Sequence, residues 1–512
     1  MIPLLLPLLL TTLAQPQSSE HQDPSTTLYE VDLLEHEDDL FHVAVTPPQL
    51  TEADRFFDFV AVAPGTYDYS NFGRFVQHLR AVDAEGKELG VEQISTNRWE
   101  LANPEQVAQI YYDIEDTYDS KLDTAQLMPA GGTGIEPDHV LMNTFGVLGY
   151  FERLLASPVQ LRLEHDPDWI VGTVLDSTGE GLFHADTYRI LADSPILMGD
   201  LSTTGLTVGD IEVEIFVHSH SEALNAEEIL FAVGDALTVA EQFIGFAPVE
   251  RYVFLMSFVN RDAMRRNGFR AMGALEHSRS SLYTLPGGRG PTAMLAQVIA
   301  HEFMHILTPL HLKSEAIANF DYSKATVDEH LWLYEGVTEW SAGMLRLRGG
   351  LTDLEEHLQL LSGKIRSAKR YDPDFSLARL SLEWDTEKGQ SQYGNIYELG
   401  ALAATVLDIR LLEFSDGERG LREVFFEFVE RYGPTKPFDS KTFISDFVAA
   451  TDPDIQSFFD EHITGSTPLP YAETFAKLGL SYDPSKGRAA LSVDQGATPE
   501  QLALRDAWMR EL

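Results

Sequence analysis

Cysteine is missing from this chain of 512 residues, and its absence removes several classes of site at once. Disulfides, thiolate metal sites, iron–sulfur clusters and a cysteine nucleophile are all excluded. Any metal ion must therefore be held by histidine, aspartate or glutamate side chains. The fold must also be stable by core burial alone, which a chain of this length allows.

Basic residues are scarce as well. Lysine and arginine number 37 against 80 aspartates and glutamates, which gives a formal net charge of −43. A chain this acidic repels phosphate backbones and anionic lipid surfaces, so the composition argues against nucleic acid as a partner and against electrostatic docking on a membrane. The content of 44% hydrophobic and 23% charged residues is typical of a folded protein. At about 100–200 residues per domain, the length predicts three or four domains.

Long apolar runs are absent too, so no transmembrane helix is predicted. The first 14 residues, Met1–Ala14, are apolar but too short to span a bilayer, and they end in Thr12-Leu13-Ala14 before a polar stretch. This pattern predicts a signal peptide at residues 1–14, although no lysine or arginine precedes the apolar run. We expect the mature protein to be exported, to a periplasm or outside the cell, without stable membrane insertion. The alternative is a buried or interfacial N-terminal segment.

Hydrophobic periodicity changes along the chain. Period-two alternation or β-branched and aromatic enrichment predicts strands at Ile110–Ile114, Val159–Leu163 and Ile211–Val217, and hence a β-sandwich-like domain over residues 27–190. A buried strand is predicted at Tyr252–Val259 within a mixed α+β domain over residues 191–348. A helical domain over 349–470 and a short tail over 471–512 follow. The fold class predicted is multidomain α+β. The predicted helices are Thr292–Leu307, Asp328–Arg348, Leu351–Ala368, Glu398–Glu413 and Leu421–Arg431.

The strongest chemical signal is His301-Glu302-Phe303-Met304-His305, an HExxH motif inside a helix that is apolar nearly all round. Residues four apart share one helix face, so His301 and His305 can both reach one ion. Glu302 points beside that ion and can take a proton from a water molecule activated there. The alternative is a pair of core histidines with a stray carboxylate, which would leave the charge of Glu302 buried and unpaired.

A third ligand is needed, because a catalytic zinc is held by three protein ligands and keeps a fourth position for water. A second apolar helix contains Trp332-Leu333-Tyr334-Glu335-Gly336-Val337-Thr338-Glu339-Trp340. Glu335 and Glu339 are four residues apart and face the same way, so spacing alone does not choose between them. Either could instead lie on a solvated helix face.

These two segments together resemble the glycyl aminopeptidase family of zinc metallopeptidases, within the gluzincin group. Its pattern is HExxH followed by W-x-x-E-G-x-T-x-aromatic, and Trp340 stands where tyrosine is more usual. The resemblance implies a thermolysin-like catalytic domain, one Zn²⁺ per chain and Glu335 as the third ligand, with Glu339 as a neighbour. The motifs Pro64-Gly65-Thr66-Tyr67 and Gly273–His277 also resemble the family, so the likeness extends over most of the chain. Many members continue into a PDZ domain, but the residues after Pro470 are too few for a complete one.

The resemblance also implies an oxyanion donor. Tyr397-Glu398-Leu399-Gly400 is similar to the family's Tyr-x-Lys-Gly helix, whose tyrosine donates a hydrogen bond to the oxyanion of the tetrahedral intermediate. Leu399 replaces the usual lysine here, and Tyr393 is a rival for the role. A third possibility is that Tyr397 belongs to the helical core.

The segment Gly273–His277 has a physical interpretation of its own. A strand shortly before the zinc helix is well placed to be the sheet edge that lines the cleft, where an extended peptide can pair with it. Gly273 would allow close backbone approach, and the carboxylate of Glu276 would hold the cationic α-amino group of a substrate. The alternative is an acidic residue in an ordinary surface strand.

The sequence therefore predicts a zinc metallopeptidase that hydrolyses peptides, with Glu302 as general base and Tyr397 as oxyanion donor. Aminopeptidase action and a preference for a small first residue such as glycine or alanine are implied by the resemblance. An endopeptidase with the same site is one alternative, and a zinc-free binding or scaffolding protein is another. The sequence makes no prediction about oligomeric state.

Overall fold

The structure is a computed structural model that describes residues 25–34, 38–118, 120–122, 127–179, 181–259, 273–288, 290 and 293–512. The predicted signal peptide lies outside these residues. Within the described ranges, every helix is too short or too polar to cross a bilayer.

Strands dominate the described residues up to Gly199. Buried and half-buried side chains alternate along strands such as Leu40–Thr46 and Gln109–Glu115, so one face of the strand covers a core. The strands are β1 Thr27–Asp32, β2 Leu40–Thr46, β3 Phe56–Asp58, β4 Val76–Val82, β5 Glu88–Leu89, β6 Val91–Ser95, β7 Arg98–Leu101, β8 Gln109–Glu115, β9 Gly134–Glu136, β10 His139–Met142, β11 Val159–Glu164, β12 Ile170–Thr173, β13 Asp176–Gly179, β14 Leu182–Ala185 and β15 Ile196–Gly199. They form sheets of eight strands (β13-β14-β11-β1-β2-β8-β4-β5), four strands (β12-β15-β10-β9) and three strands (β3-β7-β6).

A separate five-stranded sheet follows, which we call the catalytic sheet because it directly precedes the helix with the HExxH motif. Its strands are β16 Ser202–Val208, β17 Ile211–Ser219, β18 Arg251–Val259, β19 Gly273–His277 and β20 Ser280–Pro286, in the order β16-β17-β18-β20-β19. β19 is thus an edge strand, the position expected for it, and it pairs antiparallel with β20. A hairpin of β21 Leu480–Tyr482 and β22 Leu491–Val493 lies near the C-terminus.

Helices dominate the described residues after β20 and also occur between earlier strands, and the α+β multidomain fold class is confirmed. They are α1 Thr144–Val147, α2 Tyr188–Ala192, α3 Ala226–Ile244, α4 Ala293–Met304, α5 Glu315–Ala318, α6 Thr338–Arg348, α7 Leu354–Ala368, α8 Leu377–Glu383, α9 Glu387–Gln392, α10 Asn395–Phe414, α11 Leu421–Tyr432, α12 Phe443–Ala450, α13 Ile455–Phe458, α14 Tyr471–Ala476 and α15 Pro499–Trp508. Two π-helical segments, Trp332–Val337 and Phe459–Thr464, continue directly from or into α-helices.

One predicted helix begins later than the sequence indicated. The prediction of a helix over Asp328–Arg348 is wrong at its start, because the helical turns begin at Trp332. The side chain of Asp328 accepts a hydrogen bond from the backbone N–H of His330, at 2.9 Å, and another from the hydroxyl of Tyr334, also at 2.9 Å. A short aspartate side chain that bonds two residues ahead favours a turn over a helix.

The side chains of strand β18 pack into two different hydrophobic cores, one on each face of the sheet. Tyr252, Phe254 and Met256 pack into the helical core, whereas Val253 and Leu255 pack into the core of the N-terminal sheets. A strand buried on both faces reads as a continuous apolar run, as Tyr252–Val259 does. The catalytic sheet is therefore sandwiched between the two cores, which brings loops of the N-terminal sheets beside the helix that carries the HExxH motif.

Candidate active site

His301 lies in the last turn of α4 and His305 directly follows this helix, with the two imidazole rings perpendicular to each other. The Nε2 atoms of His301 and His305 are 3.2 Å apart, and both residues are buried. Behind them, the Nδ1–H of His301 donates to Glu339 at 2.8 Å and the Nδ1–H of His305 donates to the carbonyl oxygen of Thr308 at 3.0 Å. Because Nδ1 of each ring is bonded in this way, Nε2 is the ring nitrogen through which each histidine can bind a metal ion.

Glu335 faces the same point from the π-helical segment Trp332–Val337. Its Oε2 atom lies 3.5 Å from Nε2 of His301 and 3.6 Å from Nε2 of His305. Glu339 instead contacts Nδ1 of His301, on the opposite side of the ring, and cannot reach the same ion. The π-turn separates two carboxylates that an α-helix would place on one face, and such turns are frequent at functional sites.

The donor set fits a metal ion. Two imidazole nitrogens and a carboxylate oxygen converge on one point, and these atoms lie within 4.8 Å of one another. A zinc ion bound at about 2.0–2.1 Å in tetrahedral geometry separates its ligand atoms by about 3.3 Å, close to the three observed distances. A second possible set, Glu276, Glu302 and His305, shares one histidine with the first but has only one ring nitrogen. A site with two imidazoles suits zinc better.

Helix α10 brings Tyr397 to the metal centre because two glycines allow the helix backbones to touch. A Cβ atom added to Gly336 would lie 2.8 Å from Cα of Gly400, so any larger residue would force the segments apart. Tyr397 lines the cleft with its ring centroid 5.7 Å from that of His301. Tyr393 lies behind it, with the two hydroxyl oxygens 3.1 Å apart. Burial, followed by the charge of Glu335, raises the pKa of Tyr397 well above its ordinary value, so its O–H remains a donor.

Tyr67 contacts the site, although no role there was predicted for it from the sequence. Its hydroxyl donates to Oε1 of Glu335 at 3.0 Å, so the oxygen opposite the histidines is held by the N-terminal sheets. Its backbone φ is +47°, a conformation that costs energy for a non-glycine residue. The Pro64-Gly65-Thr66-Tyr67 motif was the available signal, but it gave no indication of which side chain it would meet.

Lys364 is a second residue at the site that the sequence did not predict. Its ammonium group on α7 forms an ion pair with Oε1 of Glu339 at 2.7 Å and donates to the carbonyl oxygen of Tyr397 at 3.1 Å. Burial alone would raise the pKa of Glu339, but the hydrogen bond to His301 and the charge of Lys364 lower it to about 2. Glu339 is therefore an ionised acceptor that orients His301. No sequence pattern indicates that Lys364 on α7 would contact both Glu339 and the backbone of Tyr397.

Glu276 and Gly273 line the same cleft from edge strand β19. A Cβ atom on Gly65 would lie 2.8 Å from Oε1 of Glu276, so a loop of the N-terminal sheets closes the cleft beside this carboxylate. Among the described residues, no lysine or arginine forms an ion pair with Glu276. Gly273 packs against the backbone of Ala130, where a Cβ atom would lie 3.0 Å from the amide nitrogen. A glycine is therefore needed at this position for packing, whatever it does for a substrate.

Glu302 lines the same cleft as the two histidines and Glu276. The volume of this cleft is about 520 Å³. Burial raises the pKa of Glu302 to about 7, with the charges of Glu276 and Glu335 adding to the rise and the two histidines opposing it. A carboxylate with a pKa near neutrality exchanges protons efficiently with water and with an amine.

Comparison with known proteins agrees with this geometry. The profile of the Peptidase M61 N-terminal domain matches residues 28–200, and that of the M61 glycyl aminopeptidase matches residues 294–402. Together they cover more than half of the chain. A search of curated proteins found no significant match.

Solved structures share the fold. An aminopeptidase N family protein from Idiomarina loihiensis superposes with a TM-score of 0.77 and 22% identity over 89% of this chain and 79% of that one. Yeast LTA4 hydrolase in complex with bestatin gives a TM-score of 0.51 and 13% identity over 87% of this chain and 69% of that one. The two family profiles show that the chain belongs to the M61 glycyl aminopeptidase family, and together with the cluster of metal-ligand residues in the cleft they identify it as a metalloaminopeptidase that acts on peptides.

Proposed function

We propose that the protein is an exported zinc aminopeptidase that removes a small N-terminal residue from peptides. His301, His305 and Glu335 hold one zinc ion, which when bound supplies a Lewis acid for the scissile carbonyl and lowers the pKa of water. Export is proposed from the apolar segment Met1–Ala14. The preference for glycine or alanine is supported by the family description, glycyl aminopeptidase.

Each residue of the cleft has a task in this proposal. Glu302 takes a proton from the attacking water and later delivers it to the leaving amine. The hydroxyl of Tyr397 donates a hydrogen bond to the oxyanion of the tetrahedral intermediate. Glu339 keeps the ring of His301 in the orientation that exposes Nε2, and Tyr67 does the same for the carboxylate of Glu335.

The observation that carries aminopeptidase action is the position of Glu276. A carboxylate oxygen of Glu276 is within 4.8 Å of a carboxylate oxygen of Glu302 and a ring nitrogen of His305, so it lies beside the reacting centre. Gly65 abuts it from the other side and limits the room for a peptide to continue. A cationic N-terminus fits this position, because it would compensate a carboxylate that lacks a lysine or arginine partner among the described residues.

The test compares one alanine-led peptide with its N-acetylated form. A charge-assisted hydrogen bond contributes about 1.5–3 kcal/mol. At about 1.4 kcal/mol per factor of ten, kcat/KM for the blocked peptide should be roughly 10- to 150-fold lower. Glu276→Gln should reduce this ratio, whereas Glu212→Gln, on an exposed position of the same sheet, should leave it unchanged. Glycine-, alanine- and leucine-led peptides assayed with and without a chelator measure the size preference and the metal requirement.

Equal cleavage of the free and blocked peptides, or cleavage in the middle of the blocked one, would favour the endopeptidase alternative. A purified protein without zinc and without peptidase activity would favour the zinc-free scaffolding alternative.

A further inference from the structure

A second group of histidines lies where the N-terminal sheets meet the catalytic sheet. His218 is the penultimate residue of β17, and His220 follows that strand directly. Residues two apart in an extended chain point to the same side, so the two rings project together. Asp138 meets them from the turn between β9 and β10, and His139, the first residue of β10, lies beside it. We refer to Asp138, His139, His218 and His220 as the distal cluster.

One carboxylate oxygen of Asp138 lies close to two of these imidazole rings. Oδ2 of Asp138 is 3.3 Å from Nε2 of His218 and 3.7 Å from Nδ1 of His220. The two rings are perpendicular, with centroids 5.1 Å apart, and one potential ligand atom from each of the three residues lies within 4.8 Å of the other two. These separations resemble those of the catalytic donors.

His139 fixes this arrangement from behind. Its Nδ1 atom is 3.0 Å from Oδ1 of Asp138, and its ring stacks on that of His218 with centroids 3.5 Å apart and planes 12° apart. One oxygen of Asp138 is thereby committed to His139, while the other faces His218 and His220. A ligand carboxylate oriented by an outer hydrogen bond is a recurrent feature of metal sites.

We propose that Asp138, His218 and His220 form a second metal site, which binds a divalent transition-metal ion such as Zn²⁺. Two imidazoles and a carboxylate favour zinc, nickel or copper over magnesium and calcium, which prefer oxygen ligands. The side chain of His218 is 4% exposed and that of His220 is 60% exposed, so the site has a buried wall and an open side where water can complete the coordination.

The distal cluster is separate from the catalytic centre. Its strand β17 is three positions away from β19, which carries Glu276, in the order β16-β17-β18-β20-β19. Three strand spacings correspond to about 14 Å. An ion at the distal cluster would join the turn before β10 to the end of β17, so it should stabilise the contact between the N-terminal and catalytic sheets.

The experiment counts zinc per chain after equilibrium dialysis in excess magnesium, which saturates acidic surface sites. Wild type should bind two zinc ions, and both Glu335→Ala and His220→Ala should bind one. His184→Ala removes an exposed histidine that has a single aspartate partner and should still bind two. His139→Ala should weaken binding at the distal cluster roughly 10- to 100-fold, because it removes only an outer contact.

A stability measurement keeps the result independent of activity. In Glu335→Ala, added zinc should raise the unfolding midpoint, since an ion that binds the folded state stabilises it. In the double variant Glu335→Ala/His220→Ala, this rise should be lost. Because His220 is largely exposed, its replacement is expected to leave the fold intact. Equal zinc counts for wild type and His220→Ala, or an unchanged zinc-dependent rise in the double variant, would overturn the proposal.

Discussion

The catalytic centre and the distal cluster each combine two histidines with a carboxylate, but they hold their imidazoles differently. At the catalytic centre, Nδ1 of His301 and Nδ1 of His305 both donate to acceptors behind the rings. At the distal cluster, Nδ1 of His218 is buried without a hydrogen-bond partner among the described residues, and His220 is largely exposed. Similar ligand types are thus preorganised to different degrees at the two places, so we expect tighter metal binding at the catalytic centre.

The surroundings differ as well. Glu302 and Tyr397 line the cleft around the catalytic donors, so proton transfer and oxyanion stabilisation can take place beside the ion. Among the described residues, Asp138 is the only carboxylate that contacts the distal cluster's histidines, and it already contacts all three of them. A metal ion there would have a structural effect, whereas one at the catalytic centre can take part in chemistry.

The largest expected effect is the loss of turnover when the general base is removed and the metal ion is retained. Glu302→Gln preserves shape but cannot accept a proton, so kcat should fall by about 10²- to 10⁴-fold. Zinc content should stay at the wild-type level, leaving a catalytic centre that only binds metal, like the distal cluster. Steady-state kinetics together with metal analysis check this, with Glu212→Gln as the control. Near wild-type turnover would show that Glu302 is not the base.

The next largest effect is a difference in zinc affinity between substitutions of the two carboxylates, Glu335 and Glu339. Glu335→Ala removes a ligand and should lower zinc affinity at the catalytic centre by more than about 100-fold, whereas Glu339→Ala removes an outer contact and should lower it roughly 10- to 100-fold. Zinc titration against a competing chelator measures both. If Glu339→Ala proves the more damaging substitution, the third ligand has been assigned wrongly.

A smaller effect is expected when one outer support is removed. Tyr67→Phe deletes the hydroxyl that donates to Glu335 while keeping the aromatic packing, so zinc affinity should fall by about 10-fold, at the lower end of outer-contact effects. Tyr69→Phe, which removes a hydroxyl that bonds the backbone of Ala325, is the matched control. An unchanged affinity in Tyr67→Phe would mean that Glu335 does not need its second oxygen held.

The smallest effect is a shift in pH dependence. Glu302 must be ionised to accept a proton, and burial raises its pKa to about 7 with a further contribution from Glu276. A zinc ion beside it favours the carboxylate, so kcat/KM should fall with acidification at or somewhat below about pH 7. Glu276→Gln removes a like charge and should therefore move this limb to lower pH. A limb that stays in place or moves upward would contradict the coupling between the two carboxylates.

Much of the fold could be predicted because its signals are local. The strand Tyr252–Val259 and the helix with HExxH follow from apolar runs and periodicity, and both are present. The beginning of the helix near Asp328 could not be predicted, because side-chain hydrogen bonds to Tyr334 and to the backbone compete with the helix there. Helical periodicity carries no information about such competition.

The sequence by itself determined that His301 and Glu302 lie at the end of a buried helix within one turn of His305, because helical geometry makes residues four positions apart neighbours. It left Glu335 and Glu339 equivalent on spacing, and only the resemblance to the family chose between them. The tertiary structure decided which atoms these residues present, since the π-turn aims Glu335 at the Nε2 atoms and leaves Glu339 behind His301.

Only the tertiary structure brought distant residues into contact. Tyr67 meets Glu335 although 268 positions separate them, and Asp138 meets His218 across 80 positions. Such contacts depend on how the N-terminal sheets pack against the catalytic sheet, through the two buried faces of β18. Periodicity specifies which face of a strand is buried, but it does not specify what covers that face, so the outer contacts of both metal sites became visible only in the folded chain.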